Sequence, residues 1–531
     1  MRNICHYIVF LSIVFTYPPI LFAIEMDVDQ SLHLAHRNEA RSLNAQQGKM
    51  ESILLDVDGE VLTSLYLNRL DEVIIPVLDE DVIFKKISHR VRKNTTTWIG
   101  KNVARRASIL LTLGKNHFFG RVVVNDATIL FKPTKIPFQA ISYEVDDSYE
   151  IPLIDDEVIP LEESKRSEEL PYLTESADDG SRIDVMVIYT NGMANAYPGS
   201  QIDTRIQYLI DLANLSYSNS NINTELNLVY SFMVNYLDDS PGGMNEALVD
   251  LRSNSGVFAN VEMLRTTYSA DQVTLLRQYV DEGCGFGYLL TSDNARYAYA
   301  IAHDGDKTDG SGNFCSELTY AHEIGHNLGC AHDRANASGS GRFPYSYGYQ
   351  DLDGEFSTVM AYSDNCPGLG TCPTIQYFSN PNVTFAGKPT GVADSDPNSA
   401  DNAKTINQTR LEMAGYRTSV QPSITIIAPN GSELWQRGRT YNIRWTSFNL
   451  SESVIIELYR GGNFDSVVSS NAPNTGSYSW PIPLSQPLGS DFSIKIESTL
   501  APEIYDESDN NFGITEIIKA MPWIPLLLLN E

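Results

Sequence analysis

The chain has 531 residues, which at roughly 100 to 200 residues per domain excludes a single small module and predicts about three or four domains. Hydrophobic residues make up 42% and charged residues 20%, so most of the chain can bury apolar surface and only local stretches are candidates for disorder. Lysine and arginine number 38 against 67 aspartates and glutamates, a formal charge of −29; with no basic patch to offset it, this argues against nucleic acid as a partner.

Residues 1–23 begin with Arg2, continue through an apolar run from Ile8 to Phe15 and reach Ala23 before a cleavage point, the architecture of a secretory signal. A secreted, extracellular protein is therefore expected, with an uncleaved N-terminal anchor as the alternative. From residue 24 to 143 short strand-like runs such as Ser108 to Leu113 and Arg121 to Val124 alternate with polar turns, predicting a β-rich domain. Residues 144–181 read as an acidic linker: between Glu144 and Gly180 there are 14 acidic residues against Lys165 and Arg166. That basic pair is a candidate processing site.

Residues 182–420 change pattern to α/β alternation. An apolar strand from Ile183 to Tyr189 precedes a helix with Ile202, Ile206, Leu209, Ile210 and Ala213 on one stripe, then strands at Glu225 to Tyr230, Gln272 to Leu276 and Gly287 to Leu290. A strand from Arg296 to Ala302 is either a free sheet edge that could pair with an extended peptide or an ordinary internal strand. Residues 421–515 break into closely spaced strands separated by Pro, Gly, Asn and Ser, which predicts an all-β Ig/FnIII-like sandwich with Trp435, Trp445 and Trp480 in its core. Residues 516–531 form a short apolar tail, too short and too proline-rich to span a bilayer, so no transmembrane span is expected in the mature chain.

Apart from Cys5 in the signal, the cysteines are Cys284, Cys315, Cys330, Cys366 and Cys372, all within one domain. In an exported chain they predict disulfides, with at least one thiol left over because their number is odd.

The chemistry is carried by HEIGHNLGCAHD at residues 322–333, on a helix predicted from Ser316 to Leu328 with Ser316 as its cap. His322 and His326 stand at i and i+4, so both imidazoles leave one helix face and can share a tetrahedral cation. Gly329 permits the positive-φ turn that returns His332 to the same ion. Three neutral nitrogens hold one Zn2+ with an open position, where a water has its pKa lowered toward about 7. Glu323 is placed to take that water's proton and to pass it to the leaving amine. Two acidic Gly-rich loops, Asp304/Asp306/Asp309 and Asp394/Asp396/Asp401, are weaker candidates for Ca2+, without the ligand order of an EF-hand.

The extended motif HExxHxxGxxHD, with Met360 in STVMAYS 28 residues beyond His332, resembles the metzincin signature. Asp333 after the third histidine is similar to the adamalysin or reprolysin branch. The stretch from Ile183 to Arg417, including CGFGYLL, PYSYGYQ, TVMAYS, YFSNP and NAKTIN, looks most like the bacterial peptidyl-Asp metalloendopeptidases. The resemblance implies an α/β catalytic domain with a mixed sheet and a zinc helix, His322, His326 and His332 as zinc ligands, Met360 beneath the metal, and cleavage of proteins or peptides on the amino side of Asp. Tyr362, two residues after Met360, is placed as in astacins and serralysins, which implies a phenol donor to the developing oxyanion. Trp98-Ile99-Gly100 and the following strands resemble the propeptides of these enzymes, which implies a zymogen. Residues 24–181 contain no cysteine, so latency would have to use a carboxylate or steric cover. The C-terminal segment, with PNGSELWQRGRTYNIRW and YDESDN, resembles Ser-Thr-rich wall-associated modules, which implies cell-wall or glycan contact. A different class remains as the alternative: an inactive surface or glycan-binding protein with the zinc domain as scaffold.

Overall fold

The computed structural model describes residues 33–43, 52–92, 94–124, 127–151, 156–160, 179–239, 243–280, 283–307, 311–351, 353–366, 370–417, 423–448, 453–499 and 504–516, with Leu450 and Pro502. The signal segment 1–23, the Lys165-Arg166 pair, Asp309 and the tail beyond Glu516 lie outside these residues.

Period-2 alternation governs the N-terminal part. Nine antiparallel strands form one sheet, in the spatial order Ala35–Leu43, Ser52–Val57, Gln139–Glu144, Ala127–Pro133, Phe118–Val124, Ala107–Leu113, Thr96–Asn102, Glu80–Val91 and Glu72–Val77. A helix that the sequence reading missed, Gly59–Tyr66, starts at Asp58, whose carboxylate accepts from the amides of Glu60 and Val61, and it buries Val61, Leu62 and Leu65. Side chains on a strand alternate between faces, so Ile109, Leu111 and Leu113 fill the sheet's own core with Trp98 and Phe84. Leu110 and Thr112 point the other way. Leu110 and Phe119 join the core of the next domain, each contributing roughly 1.5–3 kcal/mol relative to exposure.

Polar contacts lock the same seam. The buried Asp211 on the helix Gln201–Asn219 accepts from Thr97 Oγ1 at 2.6 Å, Thr112 Oγ1 at 2.8 Å and Arg92 Nη2 at 3.1 Å. Arg90 grips Glu225 with two parallel bonds of 2.7 and 2.8 Å, a fork geometry stronger than a single neutral hydrogen bond.

The central unit is built on a mixed sheet in the order Glu157–Val158, Gly285–Tyr288, Tyr299–Asp306, Gln272–Gln278, Arg182–Thr190 and Glu225–Val234. Neighbours from Tyr299–Asp306 to Glu225–Val234 run parallel, whereas Gly285–Tyr288 runs antiparallel to Tyr299–Asp306. One open alternative is decided here and one expectation is corrected. Of the two alternatives for Arg296 to Ala302, edge or interior, the interior one holds: the strand is Tyr299–Asp306, and Gly285–Tyr288 pairs outside it. The acidic linker is in part a strand of this sheet, since Glu157–Val158 pairs in parallel with Gly285–Tyr288.

Arg205 on the long helix is fully buried and holds Asp304 by bonds of 2.8 and 2.6 Å and Glu317 by one of 2.7 Å, while Tyr208 Oη donates to Glu317 at 2.7 Å. Removing Arg205 would leave two buried carboxylates without the cation they share, at a cost of roughly 3–5 kcal/mol. Among the described residues two disulfides, Cys284–Cys315 and Cys366–Cys372, leave Cys330 as a buried free thiol.

In the C-terminal part the burial pattern alternates along Thr440–Phe448 and Gly489–Ser498, as expected when only one sheet face is buried. A three-stranded and a six-stranded sheet share one core. Trp435, Trp445 and Trp480 lie in it at 7, 2 and 6% exposure, so none is a free stacking platform for sugar. Among the described residues no helix is long and apolar enough to cross a membrane.

Candidate metal centre

The histidine-bearing helix runs Thr319–Asn327, shorter at its start than the sequence suggests. Ser316 does not cap it, because Leu318 holds the N-cap position without a side-chain bond, and Glu317 is drawn away to Arg205 and Tyr208. Its end is set by Gly329 at φ +87°, with Gly329 N donating to His326 O and Cys330 N to Gly325 O, both at 2.9 Å. The chain then turns into Ala331–Asp333, which pairs with Tyr347–Gly348 and carries His332 back over the helix. Asp333 ties this turn to the next loop: one oxygen accepts from Ala335 N at 3.1 Å and the other from Tyr362 N at 3.2 Å.

The three histidines meet. His322 Nδ1 donates to Val359 O at 2.7 Å and His326 Nδ1 to Cys330 O at 2.8 Å, bonds that fix the tautomer and leave each Nε2 lone pair bare. His326 Nε2 and His332 Nε2 lie 3.1 Å apart. Four nitrogens or oxygens around a tetrahedral cation at about 2.0–2.1 Å are separated by roughly 3.3 Å, so the spacing suits a shared ion better than a bond between two acceptors. Burial, with His322 and His332 adding to it, holds His326 well below the usual histidine range and therefore neutral, the form a metal requires. The donor set fits zinc.

A fourth group, absent from the sequence reading, completes the cluster. The carboxylate of Asp156 reaches to 2.6 Å from His332 Nε2, 3.3 Å from His322 Nε2 and 3.9 Å from His326 Nε2. The four candidate ligand atoms lie within 4.8 Å of one another. Although burial alone would raise it, the Asp156 carboxyl is held well below the usual range by His332 and His322. Asp156 Oδ2 and His322 Nε2 are close enough for an ion pair, yet neither completes a hydrogen bond.

Glu323 is fully buried and neither of its carboxylate oxygens has a hydrogen-bond partner. Burial pushes its carboxyl well above the usual range, with the Asp156 charge adding to it. Tyr362 Oη donates to Asp156 Oδ1 at 3.2 Å, and its ring lies 4.5 Å from that of His332. Met360 is buried beneath the helix, where a Cβ on Gly325 would fall 2.4 Å from its Sδ.

Residues 179–379 match the Reprolysin_5 profile, described as metallo-peptidase family M12. These residues carry a reprolysin-like M12 metallopeptidase domain. Similar proteins include the peptidyl-Asp metalloendopeptidase of Xanthomonas campestris pv. campestris, 29% identical over 46% of this chain and 53% of the relative. That of Pseudomonas aeruginosa is 30% identical over 45% of this chain and 41% of the relative. The chain thus spans about half the length of these relatives. A solved chaperone–substrate complex aligns with 56% of this chain and 39% of its own at 19% identity, with a TM-score of 0.34.

Two glycines of CGFGYLL shape the M12 site from above. A Cβ on Gly285 would stand 2.0 Å from Glu323 Oε1, and one on Gly287 would stand 2.7 Å from Glu323 O. Gly285→Ala is therefore expected to push the Glu323 carboxylate aside while sparing the histidines. Zinc content should stay stoichiometric and turnover should fall about 10²-fold, the cost of roughly an ångström of misplacement; atomic absorption alongside peptide hydrolysis checks both.

Three carboxylates of the candidate calcium loops have other partners. Asp304 accepts from Arg205, Asp394 pairs with Lys404, and Asp401 caps the helix Asn402–Ala414 through Lys404 N at 2.9 Å. Among the described residues, the cluster of three or more metal-ligating groups is the one at Asp156 and the histidines. The signal for Asp156 was its setting in Ile151-Pro-Leu-Ile-Asp-Asp-Glu-Val-Ile159, an apolar run interrupted by acids inside what otherwise reads as solvated linker.

Proposed function

We propose that the chain is a secreted zinc endopeptidase, made as a zymogen, that hydrolyses internal peptide bonds in proteins. One observation carries this reading: ring nitrogens of three buried histidines converge within 4.8 Å of one another, and the buried carboxylate of the neighbouring Glu323 has no hydrogen-bond partner. His322, His326 and His332 would hold the ion, which when bound supplies a Lewis acid that polarises the scissile carbonyl and acidifies water. Glu323 takes the proton of the attacking water, its carboxylate raised toward the range a general base needs, and returns that proton to the leaving amine. Tyr362 offers its phenol to the oxyanion, and Met360 supports the helix from below. The N-terminal sheet is the propeptide, docked through Asp211 and Leu110.

Cleavage on the amino side of Asp is the specificity suggested by the peptidyl-Asp relatives. An inactive scaffold is disfavoured because a scaffold has no use for an unpartnered buried Glu323. Mass-spectrometric mapping of every bond cut in a denatured proteome, with a chelator control, tests class and specificity together. Chelator-sensitive internal cuts with Asp on the amine side are expected; no cuts from folded, zinc-loaded, propeptide-free protein would overturn the reading.

A further inference from the structure

We propose that a small pocket beside His322, built on the first turn of the histidine helix, holds the acidic side chain of the substrate, with Thr319 setting the preference; this rests on the reading of the chain as an endopeptidase that cuts beside Asp. The pocket is lined by Ser316, Thr319 and His322 from the helix and the turn before it, and by Ser363 and Thr374 from the chain beyond Met360. Among the described residues no lysine or arginine lines it. A carboxylate seated there is held by hydroxyl and amide donors.

Thr319 is 2% exposed and lines the pocket, yet its Oγ1 has no hydrogen-bond partner. A buried hydroxyl left unpaired is unfavourable, whereas one that donates to an ionised carboxylate makes one of the stronger hydrogen bonds in a protein. The helix end adds to this. Leu318 at the N-cap supplies no side-chain bond, so the first-turn N–H groups and the positive end of the helix dipole favour an anion here. Glu150, which follows the nine-stranded sheet, lines the same pocket, and Ser316 bonds to its carboxyl. Burial, with Asp147 adding to it, pushes that carboxyl up to about 7. Glu150 is thus a poorly held anion that engages half-buried Ser316 and leaves Thr319 Oγ1 unpartnered, the donor that a substrate carboxylate meets in the processed protein. Position fits as well: the pocket shares His322 with the metal centre, and Val359 and Ala361 in its wall flank Met360, so a side chain entering it belongs to a residue next to the bond being cut.

The test compares kcat/KM of the processed, zinc-loaded protein on paired peptides that differ only in Asp or Asn on the amine side of the cut bond. Thr319→Val keeps the shape and removes the donor, and should lower the Asp-to-Asn ratio by at least about tenfold, with the loss confined to the Asp peptide. Thr319→Ser, which retains the hydroxyl, should restore the ratio. Ser316→Ala should lower it in the same direction, so the outcome does not depend on one variant folding. An unchanged ratio in Thr319→Val and Ser316→Ala, or an equal loss on both peptides, would overturn the assignment of the pocket and leave the endopeptidase reading standing. A wild type whose chelator-sensitive cutting shows no preference for Asp would overturn the Asp reading and the pocket with it.

Discussion

Glu323→Gln should reduce turnover of the processed protein by roughly 10²–10⁴-fold, the usual contribution of a positioned general base, while leaving zinc content unchanged. The carboxylate belongs to no ligand set: the four converging groups are Asp156 and the three histidines, and both Glu323 oxygens lack hydrogen-bond partners. Glutamine has the same shape, so it fits under Gly285 as glutamate does. It cannot accept the proton, and at 1.36 kcal/mol per factor of ten the loss corresponds to about 3–5 kcal/mol of transition-state stabilisation. The check is kcat and kcat/KM on a defined peptide beside metal analysis. Hydrolysis near the wild-type rate would remove Glu323 from the chemistry, whereas loss of zinc would mean that it positions the ligands instead.

The part of this site that can be read from sequence is the part governed by local periodicity. His322, Glu323 and His326 sit within one helical turn or so, Gly329 must adopt positive φ to end that helix, and His332 follows within a few residues, so spacing alone brings them together. The same holds for the N-terminal strands, where alternation gives Ala107–Leu113 and Phe118–Val124 nearly as expected. What periodicity cannot convey is long-range pairing. Asp156 reaches the histidines only because Glu157–Val158 adds to Gly285–Tyr288, and the apolar setting that marks it out in the acidic run does not say which distant side chains it meets. The choice between edge and interior at Arg296 to Ala302 stays open in the sequence for the same reason. Tyr299–Asp306 and Gly285–Tyr288 are both short, and neither segment alone tells which strand pairs on which side of the other. Ser316 failed as a cap because the buried Arg205 recruits its neighbour Glu317, a tertiary demand stronger than the propensity for a serine to start a helix.

His326→Ala should abolish metal binding, and its signature differs from that of Glu323→Gln. His326 lies on the helix between the other two ligands, with its Nδ1 bond to Cys330 O at 2.8 Å fixing both its ring and the turn that delivers His332. Alanine therefore removes one nitrogen and loosens the element that carries another. The affinity loss should exceed the 10–100-fold that follows when only an outer partner of a ligand is changed. Stability reports this independently of activity, because an ion that binds the folded chain at a thousand times its Kd stabilises it by about 4.1 kcal/mol. A chelator should then lower the melting temperature of the wild type and of Glu323→Gln alike, and should leave His326→Ala unmoved. The comparison separates the two roles in one experiment. A chelator-dependent shift retained in His326→Ala would show that the ion is held elsewhere, and one lost in Glu323→Gln would make that carboxylate part of the metal's support.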